Sequence, residues 1–79
     1  MDTFYLDDMT VGETAAVQEL LTTGELRRRL LDLGLVPGTR VECVGQSPAG
    51  DPKAYLIRGT AIALRREDAH GVLMRRDVM

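Results

Sequence analysis

The sequence contains one cysteine, no tryptophan, two tyrosines, one phenylalanine and one histidine in 79 residues. Cys43 alone can form neither an internal disulfide nor a cysteine zinc cage. With His70 as the only imidazole, most nucleophile–base pairs and multi-ligand metal sites are excluded on a single chain. Scarce aromatics leave few platforms for stacking nucleic-acid bases. Uninterrupted apolar runs fall far short of the ~20 residues a membrane helix needs, so direct membrane insertion is not expected. Met1-Asp2-Thr3 opens acidic, unlike a basic-then-apolar secretory leader. The expectation is a reduced, soluble, cytosolic module. A chain this short supports one small core, hence one domain over residues 1–79.

Hydrophobic residues at 44% and charged residues at 28% match ordinary globular usage, which excludes a disordered tail, a fibre or a coiled coil. Ten bases against twelve acids give a net charge of −2. The acids are concentrated early. Residues 1–26 hold Asp2, Asp7, Asp8, Glu13, Glu19 and Glu25 with no base, and all ten bases fall in residues 27–79. The two halves are expected to neutralise each other on folding. Phosphate-tracking proteins carry excess base, so no nucleic-acid partner is expected. Arg27-Arg28-Arg29 is the densest basic run, and helical geometry spreads it over roughly 200° of arc.

Residues 1–10 read as a lead-in anchored by Phe4, Leu6 and Met9. Thr14 to Leu20 alternates as a first strand. From Glu25 the period changes: Leu26, Leu30 and Leu33 form one stripe of a short amphipathic helix. Thr23 is placed to cap its start and Gly34 to end it in the left-handed conformation. Pro37-Gly38 predicts a type II turn. Strands then follow over Thr39 to Gly45, with Val41 and Cys43 inward, and over Lys53 to Arg58, with Tyr55 and Ile57 inward. The turn-rich Ser47 to Pro52 joins them. Gly59 marks a corner or bulge. Ala61 to Leu64 continues with Ile62 and Leu64 inward, Arg66 to Gly71 has room for one helical turn, and Val72 to Arg76 closes with Val72 and Met74 inward. The sum is a mainly β fold: a small SH3-like barrel of about five strands, one helix inserted after the first strand.

Two stretches give the chain a family resemblance. Leu26-Arg27-Arg28-Arg29-Leu30-Leu31-Asp32-Leu33-Gly34-Leu35-Val36-Pro37-Gly38-Thr39 resembles the central signature of the FeoA family. Gly50-Asp51-Pro52, Ile57-Arg58-Gly59 and Ile62 to Ala69 resemble its other signature, in the family's order, and the resemblance runs from about Leu6 to Met74. It implies a small cytosolic, non-enzymatic accessory module of bacterial ferrous-iron uptake. The implied partner is an FeoB-type GTP-binding membrane transporter, which would hold the module at the inner face of the membrane. The alternative it implies is a metal-responsive sensor, similar to the C-terminal barrel of DtxR-type repressors. Thr60 and Leu73 depart from the family's usual bulky and charged residues.

Candidate partner-binding residues are Leu31, Leu35, Pro37, Leu56 and Arg58, joined by Leu73; Leu31 and Leu35 lie off the helix stripe, and Leu56 and Leu73 face away from the inward residues. If these side chains cluster, the patch predicts a protein partner or a homo-oligomer. Arg65 and Arg66 would extend Arg58's positive charge. Glu67 and His70, at i and i+3, are candidate ligands for a weakly held divalent metal, with Asp7 and Asp8 adding to it only if folding brings them near. No cofactor is otherwise expected. Cys43 reads as a small core residue.

Overall fold

The structure is a computed structural model that describes residues 2–76; Met1 and residues 77–79, including Asp77 of the charge count, lie outside the described residues. Six strands form one antiparallel sheet: β1 (Thr3–Tyr5), β2 (Thr14–Leu20), β3 (Arg40–Gln46), β4 (Lys53–Ile57), β5 (Thr60–Leu64) and β6 (Val72–Arg76). Their order across the sheet is β1-β6-β2-β3-β4-β5. A 3-10 turn over Leu6–Asp8 follows β1, α1 spans Gly24–Asp32, and α2 is the single turn Arg66–Ala69. The mainly β architecture with one short helix is as expected. Two details are corrected. The lead-in contains a strand of its own, so the strands among the described residues number six, and the helix follows the second of them. β1 is legible only through its partner: Thr3, Phe4 and Tyr5 pair with Arg75, Met74 and Leu73.

β2 shows how the sheet keeps its apolar face on the core. Ala15 and Val17 point inward, and simple alternation would next bury Glu19. The register against β6 instead shifts between Val17 and Glu19. The extra residue changes parity, so Glu19 is exposed and Leu20 is buried. The Arg75 guanidinium donates to the Val17 carbonyl at 3.1 Å beside this bulge.

The inserted helix ends in a hydrogen-bonded stop. The amide of Gly34 donates to the Leu31 carbonyl at 2.9 Å and that of Leu35 to the Leu30 carbonyl at 3.1 Å, the pairing of a Schellman motif. Gly34 has φ 107°, a conformation closed to most side chains. The reversal carries Leu35 back beside Leu30, and both are fully buried. Leu26 and Leu33 are partly buried against the same core. At the other end Thr23 makes no side-chain cap, contrary to expectation. The turn through Pro37 and Gly38 closes with Thr39 donating to the Val36 carbonyl at 3.0 Å, and Gly38 has φ 93°, as a type II turn requires.

The core joins the sheet's inner face to the lead-in. Leu6, Met9, Val17, Leu30, Leu35, Cys43, Val72 and Met74 are fully buried, with Tyr55 1% exposed. The two ends of the sheet are tied together here. The Lys53 ammonium, on β4, donates to the carbonyls of Asp7 at 2.7 Å and Met9 at 2.6 Å. Beside it the Tyr55 hydroxyl donates to the Leu6 carbonyl at 3.3 Å. Burial foremost, with Cys43 and Asp7 nearby, pushes the Tyr55 phenol well above its ordinary pKa, so it stays a donor.

Two outcomes follow for stability. Lys53→Met leaves two carbonyls without their charged donor and is expected to cost about 1.5–3 kcal/mol in urea unfolding; a loss of only a few tenths would show the tie to be dispensable. A Cβ on Gly71 would collide with the Thr22 Cγ2. Gly71→Ala should therefore lower stability by about 1–3 kcal/mol, and adding Thr22→Ser, which removes that methyl, should restore most of it. Absence of rescue in thermal melts would contradict the packing assigned to this pair.

Candidate functional site

The expected surface residues do not converge on one patch. Leu35 is buried in the core, which corrects its assignment to a partner surface; the reversal after α1 returns it inward. Leu31 is half-buried and borders a depression with Gly24, Arg27, Arg28 and Asp32. Pro37 is exposed at the turn before β3. Leu73, half-buried on β6, is separated from Leu56 on β4 by β2 and β3. Only Leu56 and Arg58 come together.

These two line an open groove of about 400 Å³ with Thr14, Arg40, Val41, Glu42 and Gly59. The sheet register explains the grouping. Leu56 lies opposite Glu42 on one side and Ala61 on the other, with its side chain on the outer face. Arg58 and Gly59 form the two-residue connection from β4 to β5, and both have positive φ, 51° and 84°. That is the mark of a type I′ turn, whose twist suits a hairpin. Gly59 therefore makes a corner. Arg58 is the only non-glycine residue with positive φ among the described residues. Its chain crosses over Gly34, where an added Cβ would stand 2.9 Å from the Arg58 Cδ. The glycine that ends α1 thus also makes room for the hairpin tip. Arg40, which sequence reasoning did not single out, faces the same groove because it alternates with the inward Val41.

The candidate metal residues have a different arrangement. His70 Nδ1 is 3.2 Å from Asp7 Oδ1, and its ring lies 4.2 Å from the Tyr5 ring, centroid to centroid. Glu67, Asp51 and Arg66 border the same shallow depression. Asp51 is engaged by accepting from the Arg66 amide at 2.8 Å, and Asp68 by Arg29 at 2.8 Å. Folding therefore brings Asp7, but not a ligand set, to His70: among the described residues no three His, Cys, Asp or Glu side chains converge to hold a metal ion. Asp8 is exposed and has no part in the pair.

The acidic first third and the basic remainder meet at named contacts. Arg76 donates to Glu13 at 2.9 Å, and the same carboxylate accepts from the Thr10 amide at 2.7 Å. The Thr10 amide foremost, then Arg76, holds the Glu13 carboxyl below its usual range. Arg58, Arg65 and Arg28 have no carboxylate partner among the described residues. Cys43 is buried, as a core residue. Among the described residues no helix is long and apolar enough to cross a membrane.

Strain at Arg58 is testable. Arg58→Asn creates the Asn-Gly pair that type I′ turns favour and should raise stability by ~0.5–1 kcal/mol in thermal unfolding. An unchanged or lowered melting temperature would show that packing of the arginine over Gly34 outweighs the backbone cost.

The Fe(2+) transport protein A/Fe(2+) transporter FeoB fusion protein of Porphyromonas gingivalis is 34% identical over 64 residues, which is 81% of this chain. This chain spans only 8% of that relative's length. The NMR structure of the FeoA-like protein from Clostridium acetobutylicum matches 100% of this chain and 92% of its own, with TM-score 0.89 and 26% identity. The zinc-complexed FeoA of Stenotrophomonas maltophilia, a prokaryotic SH3 domain protein, matches 90% of this chain and 88% of its own, with TM-score 0.81 and 28% identity. A manganese-dependent transcriptional repressor shares the fold alone, at 13% identity and TM-score 0.82 over 94% of this chain and 41% of its own. Residues 4–76 match the FeoA domain, and the chain belongs to the FeoA family, with its SH3-like fold.

Proposed function

We propose that this chain is a non-enzymatic accessory module of ferrous-iron uptake that works by protein–protein contact with an FeoB-type membrane transporter. The observation that carries this reading is the Porphyromonas gingivalis relative, in which an FeoA-like segment and an FeoB transporter are one polypeptide. A covalent link holds two modules at high effective concentration, so a fused pair is what separate interacting partners would otherwise form by encounter. The module would reside in the cytoplasm and reach the membrane through its partner. It would work as one domain without a resident metal or cofactor.

The groove around Leu56 and Arg58 is the contact surface proposed within this reading. It sets an apolar side chain beside exposed guanidinium groups, the combination enriched at interface cores and rims. The manganese-dependent repressor lends no support to a sensor role, because its likeness is one of fold.

The test is capture of a detergent-solubilised FeoB-type transporter from the same organism on the immobilised chain. Wild-type protein is expected to retain it. Leu56→Asp, which replaces the apolar side chain of the groove with a carboxylate, is expected to weaken capture at least tenfold without unfolding the protein. Failure of the wild-type chain to retain the transporter would overturn the partner assignment; equal capture by Leu56→Asp would move the contact to another face.

A further inference from the structure

We propose that the free edge of β5 accepts an extended acidic segment of a partner protein as an added strand. The proposal rests on the β5 backbone and its flanking charges, and holds whichever protein supplies the segment.

β5 lies at one end of the sheet and pairs only with β4. The two-residue turn at Arg58 and Gly59 fixes which of its backbone groups point where. Thr60, Ile62 and Leu64 lie opposite Ile57, Tyr55 and Lys53 as the hydrogen-bonded pairs. Ala61 and Ala63 therefore turn their N–H and C=O groups outward. Among the described residues no other backbone group bonds to them. Exposed edges are usually blunted by a charge, a proline or a bulge. Thr60-Ala61-Ile62-Ala63-Leu64 has no charge and no proline, and its register with β4 is unbroken. The opposite edge, β1, is only three residues long.

Side chains beside this edge leave room for another strand. On the outer face Ala61 and Ala63 lie opposite Leu56 and Ala54, a low and uncharged surface. Positive charge brackets it. Arg58 precedes β5 and Arg65 follows it, both exposed and without a carboxylate partner among the described residues. Arg66 is not counted, since it borders Asp7, Asp51, Glu67 and His70.

The same charges select the occupant. Two copies pairing antiparallel about Ile62 would bring Arg58 of each to the end of β5 where Arg65 of the other stands, and like charges brought together across strands destabilise. A segment with carboxylates at its ends and alternating apolar residues between meets both the guanidinium groups and the backbone edge. This is recognition by strand addition, in which main-chain bonds give affinity and flanking groups give selectivity.

The experiment uses two capped synthetic heptapeptides, EVTVTVE and KVTVTVK, with amide hydrogen exchange of the whole chain followed by NMR. At low salt the glutamate peptide should slow exchange at Ala61 and Ala63 at least tenfold, and the lysine peptide should not. The double variant Arg58→Glu/Arg65→Glu should lose that protection and turn its preference to the lysine peptide. Ala63→Pro removes an outward donor where an edge tolerates proline, and should abolish binding with the fold intact. Should that variant not fold, the charge-reversed one decides. Equal binding of the two peptides, or no protection at Ala61 and Ala63 with the glutamate peptide, overturns the proposal. So does protection that grows with protein concentration in the absence of peptide, which would assign the edge to a second copy.

Discussion

The Lys53 ammonium, held between the carbonyls of Asp7 and Met9, is the contact on which the closure of this small fold depends. A sheet of six short strands has too little interior to exclude water from an open end. Lys53 is on β4, one strand from the far edge, and its acceptors follow β1 at the other edge. The two bonds draw the 3-10 turn across the inner face and carry Leu6 and Met9 into the core. They also satisfy carbonyls that a turn of this length leaves without intrahelical partners. Tyr55 adds a third bond from the same strand.

Much of the remaining architecture is set by where the backbone departs from regularity. The bulge in β2 changes the parity of the strand and keeps Glu19 in water. The left-handed residue after α1 folds Leu35 back under Leu30. The left-handed pair at the β4–β5 turn brings Arg58 over Gly34, so the end of the helix and the tip of the hairpin share one contact. The first two replace a regular continuation that would bury a charge or expose a leucine.

Membership of the FeoA family and the fusion with FeoB in a relative give the surface its context. Charge within the fold is paired across the length of the chain. Acids of the first third pair with bases from later in the chain, as Glu13 does with Arg76 and Asp7 with His70. Two guanidinium groups without a carboxylate partner among the described residues, Arg58 and Arg65, flank β5. There the outer face is apolar and low, and the strand edge is open.

The sequence by itself determined the period changes, and with them the helix and the five strands after β1, because periodicity and turn chemistry are local. Pro37-Gly38 and Gly34 could be read for the same reason: a positive φ restricts residue type wherever it occurs. Only the tertiary structure decided the rest. β1 has three residues and no periodicity of its own, and exists because β6 pairs with it. Leu35 looked like a surface residue on helical spacing, but spacing ends where the helix does, and the reversal buried it. The meeting of His70 with Asp7, and of Arg58 with Gly34, joins positions far apart in the chain through closure of the sheet. Which strand would be left with an open edge was likewise undecidable locally, since an edge is defined by the neighbour that a strand does not have.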